Sequence, residues 1–399
     1  MKFLQNKTKK FRSNLIFVLP LAALAIGLGA VGWFNHRAAA GTDYHMELPA
    51  QSALESHVLF GGDVFWGRSM YDWSQQSPLK EAYPFSRLKE FQREKYDAWV
   101  VNLECPSVPG VKQPIGFVPK LHEFNCDTDY LPNAAKWFTA VSLGNNHTSN
   151  QGRESGLEAT RQQLDAHGIQ HFGDFNPHKT DKICSVIGLP ARAQLDGHQQ
   201  NVTLPVAMCG FHGVHYTITD KAVAEMQRYA RYMPVVAMPH MGREYQASVD
   251  DKRKDLYHKM IDNGADVVFG NHPHWVQPAE AYKGKLIAYS MGNFIFDQDF
   301  SPEVMRSAAF DTTLSLAVDG TNQDQLKAWL RFGDSCKSSQ DSCLSQAEQQ
   351  GLQRLPIKFS YSIVGVDLSN KITHRANQRL QDDILTRLNW KAVNAQLAK

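Results

Sequence analysis

The chain has 399 residues and a formal net charge of +2, but this charge is unevenly distributed. Residues 1–40 contain six of the 42 basic residues and no acidic residue, so the rest of the chain carries 36 basic against 40 acidic residues, a net charge of −4. A domain of this charge has no general attraction for a polyanion, so nucleic acid is a poor candidate partner and none is expected.

The first predicted element is a membrane segment. Five basic residues precede an apolar run at 15–34, which is long enough to cross a bilayer as one helix. Because basic residues stay on the cytoplasmic side, we predict a tail at 1–14, a signal anchor at 15–34 and a linker at 35–56. The main domain would then lie in the periplasm or outside the cell, tethered to the cytoplasmic (inner) membrane by a single pass. A cleaved signal peptide is the alternative, since residues 38–40 are the small alanines that signal peptidase accepts.

Six cysteines in a chain that is predicted to be exported indicate disulfides. They are Cys105, Cys126, Cys184, Cys209, Cys336 and Cys343. The short loop from Cys336 to Cys343 is the clearest pair, and proximity along the chain favours two more, Cys105 with Cys126 and Cys184 with Cys209. The alternative for Cys184 and Cys209 is a pair of buried thiols in strands.

Short apolar runs in the first 300 residues predict strands. These runs are 57–63, 98–104, 138–144, 204–211, 234–241, 266–270 and 285–293. Helical periods lie between several of them, at 157–164, at 223–230 after Thr219 or Asp220, and at 249–263 before Gly264. The alternation of strands and helices predicts a layered α/β fold with a largely parallel or mixed sheet.

The pattern changes after residue 310. Alternating apolar residues at 314–318, followed by Asp319-Gly320 and the polar segment 334–350, predict a hairpin with an inserted loop. The alternating run 357–368 predicts an antiparallel strand that returns to the sheet. Leu380, Ile384 and Leu388 at helical spacing predict one terminal helix on the outside. We therefore predict a main domain at 57–310 and a segment at 311–399 that completes or flanks it.

Polar clusters follow the predicted strands at their carboxyl ends, where an α/β sheet gathers its functional groups. They contain Asp63, Glu104, Asn146, His147, His240, His272 and His274. Carboxylates are good ligands for hard metal ions, and neutral imidazoles suit Zn, Mn, Fe, Co or Ni. Alone, Asp63 after two glycines would be an ordinary turn residue. Four histidines at three strand ends beside two acids indicate a shared metal site.

Further polar residues are predicted around this site. They are Arg68, Asn145, Arg243, Glu244, Asn293 and Asp297. The asparagines and Asp297 would orient the histidines through hydrogen bonds. The other charged residues would bind an anionic substrate, or else are solvated charges on loops. Because side chains alternate along a strand, His272 and His274 are predicted on the same side of an extended segment.

The polar clusters, in this order, closely resemble the CapA family of poly-γ-glutamate capsule synthesis proteins. The resemblance covers about 57–297 and rests on the motifs GDV…GR, NLE, NNH, H-x-G-x-E-Y, GAD…G-x-HPH…Q and YS-x-GNFIFDQ. It implies an α/β/β/α sandwich-like domain of the calcineurin-like metallophosphoesterase type, preceded by one transmembrane helix. It also implies one or two divalent transition-metal ions, Mn, Zn or Fe. Their implied ligands are Asp63, Glu104, Asn146, His240, His272 and His274, and His147 would protonate a leaving group.

Three positions depart from the pattern that the resemblance implies. Metallophosphoesterases begin with Asp-x-His, but Phe65 stands two residues after Asp63, so one ligand of a two-metal centre is missing. Glu104 stands where the superfamily usually has Asp, and Asn271 where many members carry another His. A single-metal or vestigial centre is therefore an alternative to a complete one.

Two functions from different classes follow. In the first, a membrane-anchored protein helps to synthesise, export or retain an anionic polymer such as poly-γ-glutamate, together with other membrane subunits of a capsule complex. In the second, the chain is a metal-dependent hydrolase of a phosphoester or an amide of the cell envelope. A sugar-nucleotide enzyme ranks below both, because the sequence contains no Gly-rich dinucleotide fingerprint or phosphate loop.

Overall fold

The computed structural model describes residues 48–112, 123–318, 323–333, 336 and 340–398. The strands of these residues are β1 (Ser52–Val64), β2 (Ala98–Leu103), β3 (Ala140–Ser142), β4 (Gln170–Phe172), β5 (Cys184–Leu195), β6 (His198–His212), β7 (Val235–His240), β8 (Val267–Phe269), β9 (Ala279–Tyr282), β10 (Lys285–Ala288), β11 (Asn293–Ile295), β12 (Arg306–Ala317), β13 (Lys358–Asp367) and β14 (His374–Arg375). The helices are α1 (Arg68–Gln76), α2 (Leu131–Ala134), α3 (Glu154–Ala166), α4 (Asp220–Ala224), α5 (Met226–Ala230), α6 (Asp251–Asp262), α7 (Gln323–Phe332), α8 (Gln340–Gln349), α9 (Gln378–Arg387) and α10 (Trp390–Leu397).

The sheet branches at β1. The first half of this strand pairs with β5 through Leu54 and Glu55, and the second half pairs with β2 between Val58 and Val64. One branch continues as the parallel strands β2–β3–β4, and the other as β5–β6–β7–β8–β10–β9. On the other side of β1, β12, β13 and β14 add antiparallel strands. The mixed sheet with helices confirms the predicted α/β class.

The two branches share a core because alternate side chains of a strand point to opposite faces. Val58 and Phe60 of β1 belong to the same buried cluster as residues of β6, β7 and β8, and Phe60 stacks on Phe269 with ring centroids 4.6 Å apart. Leu59 lies between them and belongs to a second cluster, with Trp99. The second cluster includes residues of α1 and α3, so helices cover the face of β2 that is turned away from the shared core.

The region after β12 differs from the sequence expectation. The segment predicted as a loop contains α8, and α7 precedes it with Leu326 and Trp329 buried. Asn389 adopts a left-handed conformation with φ of 53° and separates α9 from α10, where one terminal helix was predicted. β1 begins earlier than predicted, at Ser52, because residues before His57 already pair with β12. The predicted antiparallel strand at 357–368 is confirmed as β13.

The structure describes no part of the predicted membrane segment. Among the described residues, no helix has the length and apolar character needed to cross a membrane. The predicted tail and anchor, with most of the predicted linker, fall within residues 1–47 and so lie outside the described residues. The predicted turn at Asp319 and Gly320 lies outside them as well.

Three disulfides join the six cysteines as the sequence predicted. Cys105 pairs with Cys126, Cys184 with Cys209, and Cys336 with Cys343. Cys184 and Cys209 are register partners on the antiparallel strands β5 and β6, so they are bonded rather than buried thiols. The Cys105–Cys126 bond ties the residue after Glu104 to the segment that carries Phe124.

Replacing both Cys105 and Cys126 with alanine is expected to lower the free energy of unfolding by about 3 kcal/mol. The bond closes a loop with a sequence separation of 21 residues, and opening such a loop adds conformational entropy to the unfolded chain. Urea unfolding would measure the loss. The control pair, Cys336→Ala with Cys343→Ala, opens a loop with a separation of only 7 and is expected to cost about 2 kcal/mol. A smaller loss for the first pair than for the control would contradict the prediction.

Candidate metal centre

The predicted ligand residues come together at the carboxyl ends of the strands. Asp63 lies near the end of β1, Glu104 follows β2, Asn146 and His147 follow β3, His240 ends β7, and His272 and His274 follow β8. Every one of these side chains except His147 is buried. Parallel pairing within β1–β2–β3 and within β6–β7–β8 explains the convergence, because it carries the strand ends to one edge.

Two carboxylates face the imidazoles at the centre of the cluster. Asp63 Oδ1 lies 3.6 Å from His240 Nδ1, and Asp63 Oδ2 lies 3.5 Å from His274 Nδ1. Glu104 Oε1 lies 3.5 Å from His240 Nε2 and 3.9 Å from His274 Nε2. The amide oxygen of Asn146 lies 2.7 Å from His240 Nε2. Acid, amide and imidazole donors from several strand ends therefore occupy one small volume.

The donor set fits a divalent transition metal. Asp63, Glu104 and His240 offer one ligand atom each within 4.8 Å of one another, and so do Glu104, His272 and His274. Glu104 Oε2 and His272 Nδ1 are buried and have no hydrogen-bond partner among the described residues. An unpaired buried polar atom costs free energy, and a bound cation would satisfy both of these. Carboxylates with imidazoles are a ligand combination that Zn, Mn and Fe accept.

The electrostatics of the cluster are set by two buried carboxylates that face two buried histidines. Burial raises the pKa of Glu104, and the negative charge of Asp63 adds to the effect. Burial also opposes ionisation of Asp63, but hydrogen bonds and charges from His240 and His274 outweigh it and hold the pKa of Asp63 below its usual range. Burial favours neutral imidazoles, yet Glu104 and Asp63 raise the pKa of His240 to about 9 and that of His274 to about 8. Protonated histidines thus supply the positive charge that a metal ion would otherwise bring.

The segment that carries His272 and His274 is bent, and the prediction of an extended segment is wrong. His272 has a φ of 95° and His274 a φ of 57°, both in the left-handed region that residues with a Cβ rarely adopt. The main-chain N–H of His272 donates to Asp63 Oδ2 at 3.2 Å, which helps to hold this conformation. Both rings still face the cluster, with centroids 5.9 Å apart. Backbone strain of this kind is concentrated at functional sites.

His147 stands at the open side of the cluster, with Nε2 4.0 Å from Glu104 Oε1. Its Nδ1 lies 2.8 Å from Asn150 Oδ1, which also accepts a hydrogen bond from the main-chain N–H of Phe124. The Phe124 ring stacks on the imidazole with centroids 3.7 Å apart. Burial lowers the pKa of His147 to about 3, so the ring is neutral. Because an amide oxygen can only accept, Nδ1 carries the proton and Nε2 presents its lone pair toward Glu104.

Amide side chains hold the residues of the cluster in place through hydrogen bonds. Asn102 Nδ2 donates to Asp63 Oδ1 at 2.8 Å and lies 3.1 Å from His240 Nδ1. Asn145, a predicted residue, donates to Leu103 O at 2.8 Å and so joins the ends of β2 and β3. The roles of Asn102, Phe124 and Asn150 were not predicted from the sequence. Asn102 stands in the same NLE motif as Glu104, so this motif could have indicated that Asn102 belongs to the site.

Replacing Asn293 with alanine is expected to weaken metal binding by about 10- to 100-fold. Asn293 Oδ1 lies 2.8 Å from His274 Nδ1, which fixes the ring and leaves Nε2 to face the cluster. Titration of the metal-free protein with Zn²⁺ would measure the change. Asn394→Ala, an exposed position in α10, is the control and is expected to change nothing. Equal affinities for the two variants would show that Asn293 does not orient His274.

The predicted charged residues around the site divide into two groups. Arg68 and Asp297 pair side by side, with Arg68 Nε 3.1 Å and Nη2 2.5 Å from the two carboxylate oxygens. The Arg68 guanidinium also lies over the Phe124 ring, 4.3 Å from its centroid. Arg243 and Glu244 are exposed on the loop after β7. Of these two, Glu244 is close enough for its charge to add to the raised pKa of His274.

The fold and the site define an α/β protein with a buried carboxylate–histidine cluster at the carboxyl edge of its sheet. The family model described as bacterial capsule synthesis protein PGA_cap matches residues 57–298, and the chain belongs to this family, the CapA family. The matched range contains every residue of the cluster.

Curated relatives match parts of the chain. The PGA biosynthesis protein CapA of Bacillus subtilis (strain 168) is 40% identical over 181 residues, which are 41% of this chain and 44% of that protein. The capsule biosynthesis protein CapA of Bacillus anthracis is 42% identical over 67 residues, 17% of this chain and 16% of that protein. The matches thus span less than half the length of these relatives. The solved structure of TT1561 of Thermus thermophilus covers 64% of this chain and 94% of its own, with a TM-score of 0.34 and 10% identity, which is too weak a likeness to support an argument.

Proposed function

We propose that this chain acts in the synthesis, export or retention of an anionic capsule polymer, poly-γ-glutamate. The observation that carries the proposal is the family match over 57–298, which contains the whole buried cluster. The two curated relatives are named for PGA and capsule biosynthesis, which supports the same process.

We place the domain outside the cytoplasm, in the periplasm or outside the cell, anchored by residues 15–34 to the cytoplasmic membrane. Three disulfides support this location, because such bonds persist in oxidising compartments. Other membrane subunits of a capsule complex would be its partners. The branched sheet with a shared core and outer helices is in keeping with the α/β/β/α layering of metallophosphoesterases, which is the fold that we propose.

A divalent metal ion is part of the proposal. Its ligands would be Asp63, Glu104, Asn146, His240, His272 and His274. When bound, such an ion polarises a carbonyl or phosphoryl oxygen as a Lewis acid. Phe65 is fully buried against Phe124 and Phe296, with centroids 4.7 and 5.2 Å away, and offers no ligand atom. The loss of this ligand favours one tightly held ion over two.

The second candidate is a metal-dependent hydrolase of an envelope phosphoester or amide, and the unpaired atoms of Glu104 and His272 favour it. In that reaction the chain would hold the substrate beside His147 and exchange a proton at Nε2. The fixed proton on Nδ1 means that Nε2 must first accept a proton before it can give one to a leaving group.

Capsule measurements on cells test the proposal. Cells that lack the chain are expected to lose cell-bound polymer, and the wild-type gene is expected to restore it. A gene with His272→Ala should fail to restore it, whereas Glu158→Gln, an exposed position in α3, should succeed. An unchanged polymer layer without the chain would contradict the proposed function. Full restoration by His272→Ala would show that the polymer role does not need the metal centre.

A further inference from the structure

We propose that a second binding site lies beside the carboxylate–histidine cluster and takes the carboxylate groups of an extended polyanion. The proposal rests on the proposed function, which supplies a polymer of this class. We call the site the cationic rim and define it by five residues. They are Arg153, His178, Lys179, His215 and Tyr216.

The rim adjoins the cluster through the sheet and through a loop. His212 ends β6 and is the register partner of His240 on β7, so the residues after His212 begin about one strand spacing from the cluster. His215 and Tyr216 lie in the loop that directly follows His212. The loop after β3 leads from His147 to Arg153 at the start of α3.

Four residues of the rim are linked by contacts across three loops, and the fifth, His215, directly precedes Tyr216 in the chain. Arg153 and Lys179 both lie over the buried Phe175 ring, with their charged groups 5.5 and 5.9 Å from its centroid. Arg153 Nη2 lies 3.4 Å from the Tyr216 hydroxyl. The His178 ring packs edge-on against Tyr216, with centroids 5.8 Å apart. The donors of the rim therefore form one connected surface.

One cation of the rim is available to a ligand. Lys179 is neutralised by Glu154, with Nζ 2.5 Å from Oε2. Arg153 is exposed, and no carboxylate of the described residues lies within 4.0 Å of its guanidinium. A guanidinium matches a carboxylate with two parallel hydrogen bonds, and Tyr216 and the exposed imidazoles of His178 and His215 add further donors.

The charges favour a repeating ligand over a single anion. Because the chain beyond residue 40 has a net charge of −4, its overall field does not attract a polyanion, and any attraction must be local. One exposed ion pair contributes little. A chain with carboxylates at regular intervals can engage Arg153 and the neighbouring donors of Tyr216 and His178 at once, and the second contact then forms at high effective concentration.

The test compares two arginine variants of the full-length chain, purified in a mild detergent, for binding of fluorescently labelled poly-γ-glutamate. Arg153→Gln is expected to weaken binding about fivefold or more, because a charge-assisted contact is lost. Glutamine keeps a Cβ at a position where φ is 55°, so the backbone requirement is unchanged. The matched control is Arg231→Gln, an exposed arginine over the Tyr232 ring at 5.6 Å that precedes β7, at the opposite end of the strand from the rim. It is expected to bind as the wild type does.

Equal binding by the two variants would overturn the inference, as would equal binding of labelled neutral dextran and poly-γ-glutamate by the wild type. Metal content, measured on the same samples, is expected to be the same in all three proteins. If the wild type binds no poly-γ-glutamate while cells that lack the chain lose their polymer, the inference fails and the proposed function stands. If such cells keep their polymer, the proposed function fails even where Arg153→Gln weakens binding.

Discussion

Replacing Glu104 with glutamine is expected to weaken the binding of Mn²⁺ or Zn²⁺ by more than about 100-fold. Glu104 is shared by both groups of donor atoms in the cluster, and its Oε2 has no partner among the described residues. Changes to residues that only support a ligand already cost about 10- to 100-fold, so the loss of a carboxylate ligand should exceed that range. Glutamine keeps the size of the side chain and removes its charge.

Isothermal titration of metal-free protein would measure this affinity. Glu158→Gln makes the same chemical change on the exposed face of α3 and should leave the affinity unchanged. The Glu104 variant should also remain folded, because His240 and His274 can lose their extra protons once the carboxylate that raises their pKa is removed. Metal affinity equal to that of the wild type would exclude Glu104 as a ligand.

Replacing Gly62 with alanine is expected to lower the free energy of unfolding by about 3 kcal/mol or more. A Cβ at this position would lie 1.8 Å from the main-chain oxygen of Gly292, a distance that no side-chain adjustment can relieve. The same oxygen accepts a hydrogen bond from the N–H of Asp63 at 3.0 Å. The substitution therefore pushes β1 away from the residues before β11 and displaces Asp63.

Thermal and urea unfolding would measure the loss for Gly62→Ala. The control is Gly284→Ala in the turn between β9 and β10, where a Cβ meets nothing within 4 Å. Because Gly284 has a φ of 75°, the control should cost only backbone strain, about 1 kcal/mol. A Gly62 variant as stable as this control would mean that β1 and Gly292 are not as close as described.

Much of the site could be predicted because each of its residues is marked by the sequence immediately around it. Each ligand follows an apolar run, and parallel strands carry such residues to the same edge, so Asp63, Glu104 and His240 could be grouped from the sequence alone. The bent conformation of residues 272–274 could not be predicted, because the main-chain N–H of His272 donates to Asp63, about 200 residues earlier in the chain. Local alternation suggested an extended segment instead.

The contacts that escaped prediction join residues far apart in the chain. Phe124 stacks on His147, and Arg68 pairs with Asp297 across a separation of 229 residues. The branching of the sheet at β1 is equally non-local, since each half of one strand selects a different partner. α7 is different, because Leu326, Trp329 and Phe332 recur every three residues and were a readable helical signal. The polar composition around it favoured a loop.

Metal analysis of the full-length protein, purified without chelators beside His272→Ala and Glu158→Gln, would show whether the cluster is a metal centre. We expect about one transition-metal ion per chain in the wild type and in Glu158→Gln, and a clear loss in His272→Ala. Absence of metal from the wild type, even after incubation with Mn²⁺ or Zn²⁺, would contradict this expectation. The buried cluster would then be a set of paired acids and protonated histidines rather than a metal centre.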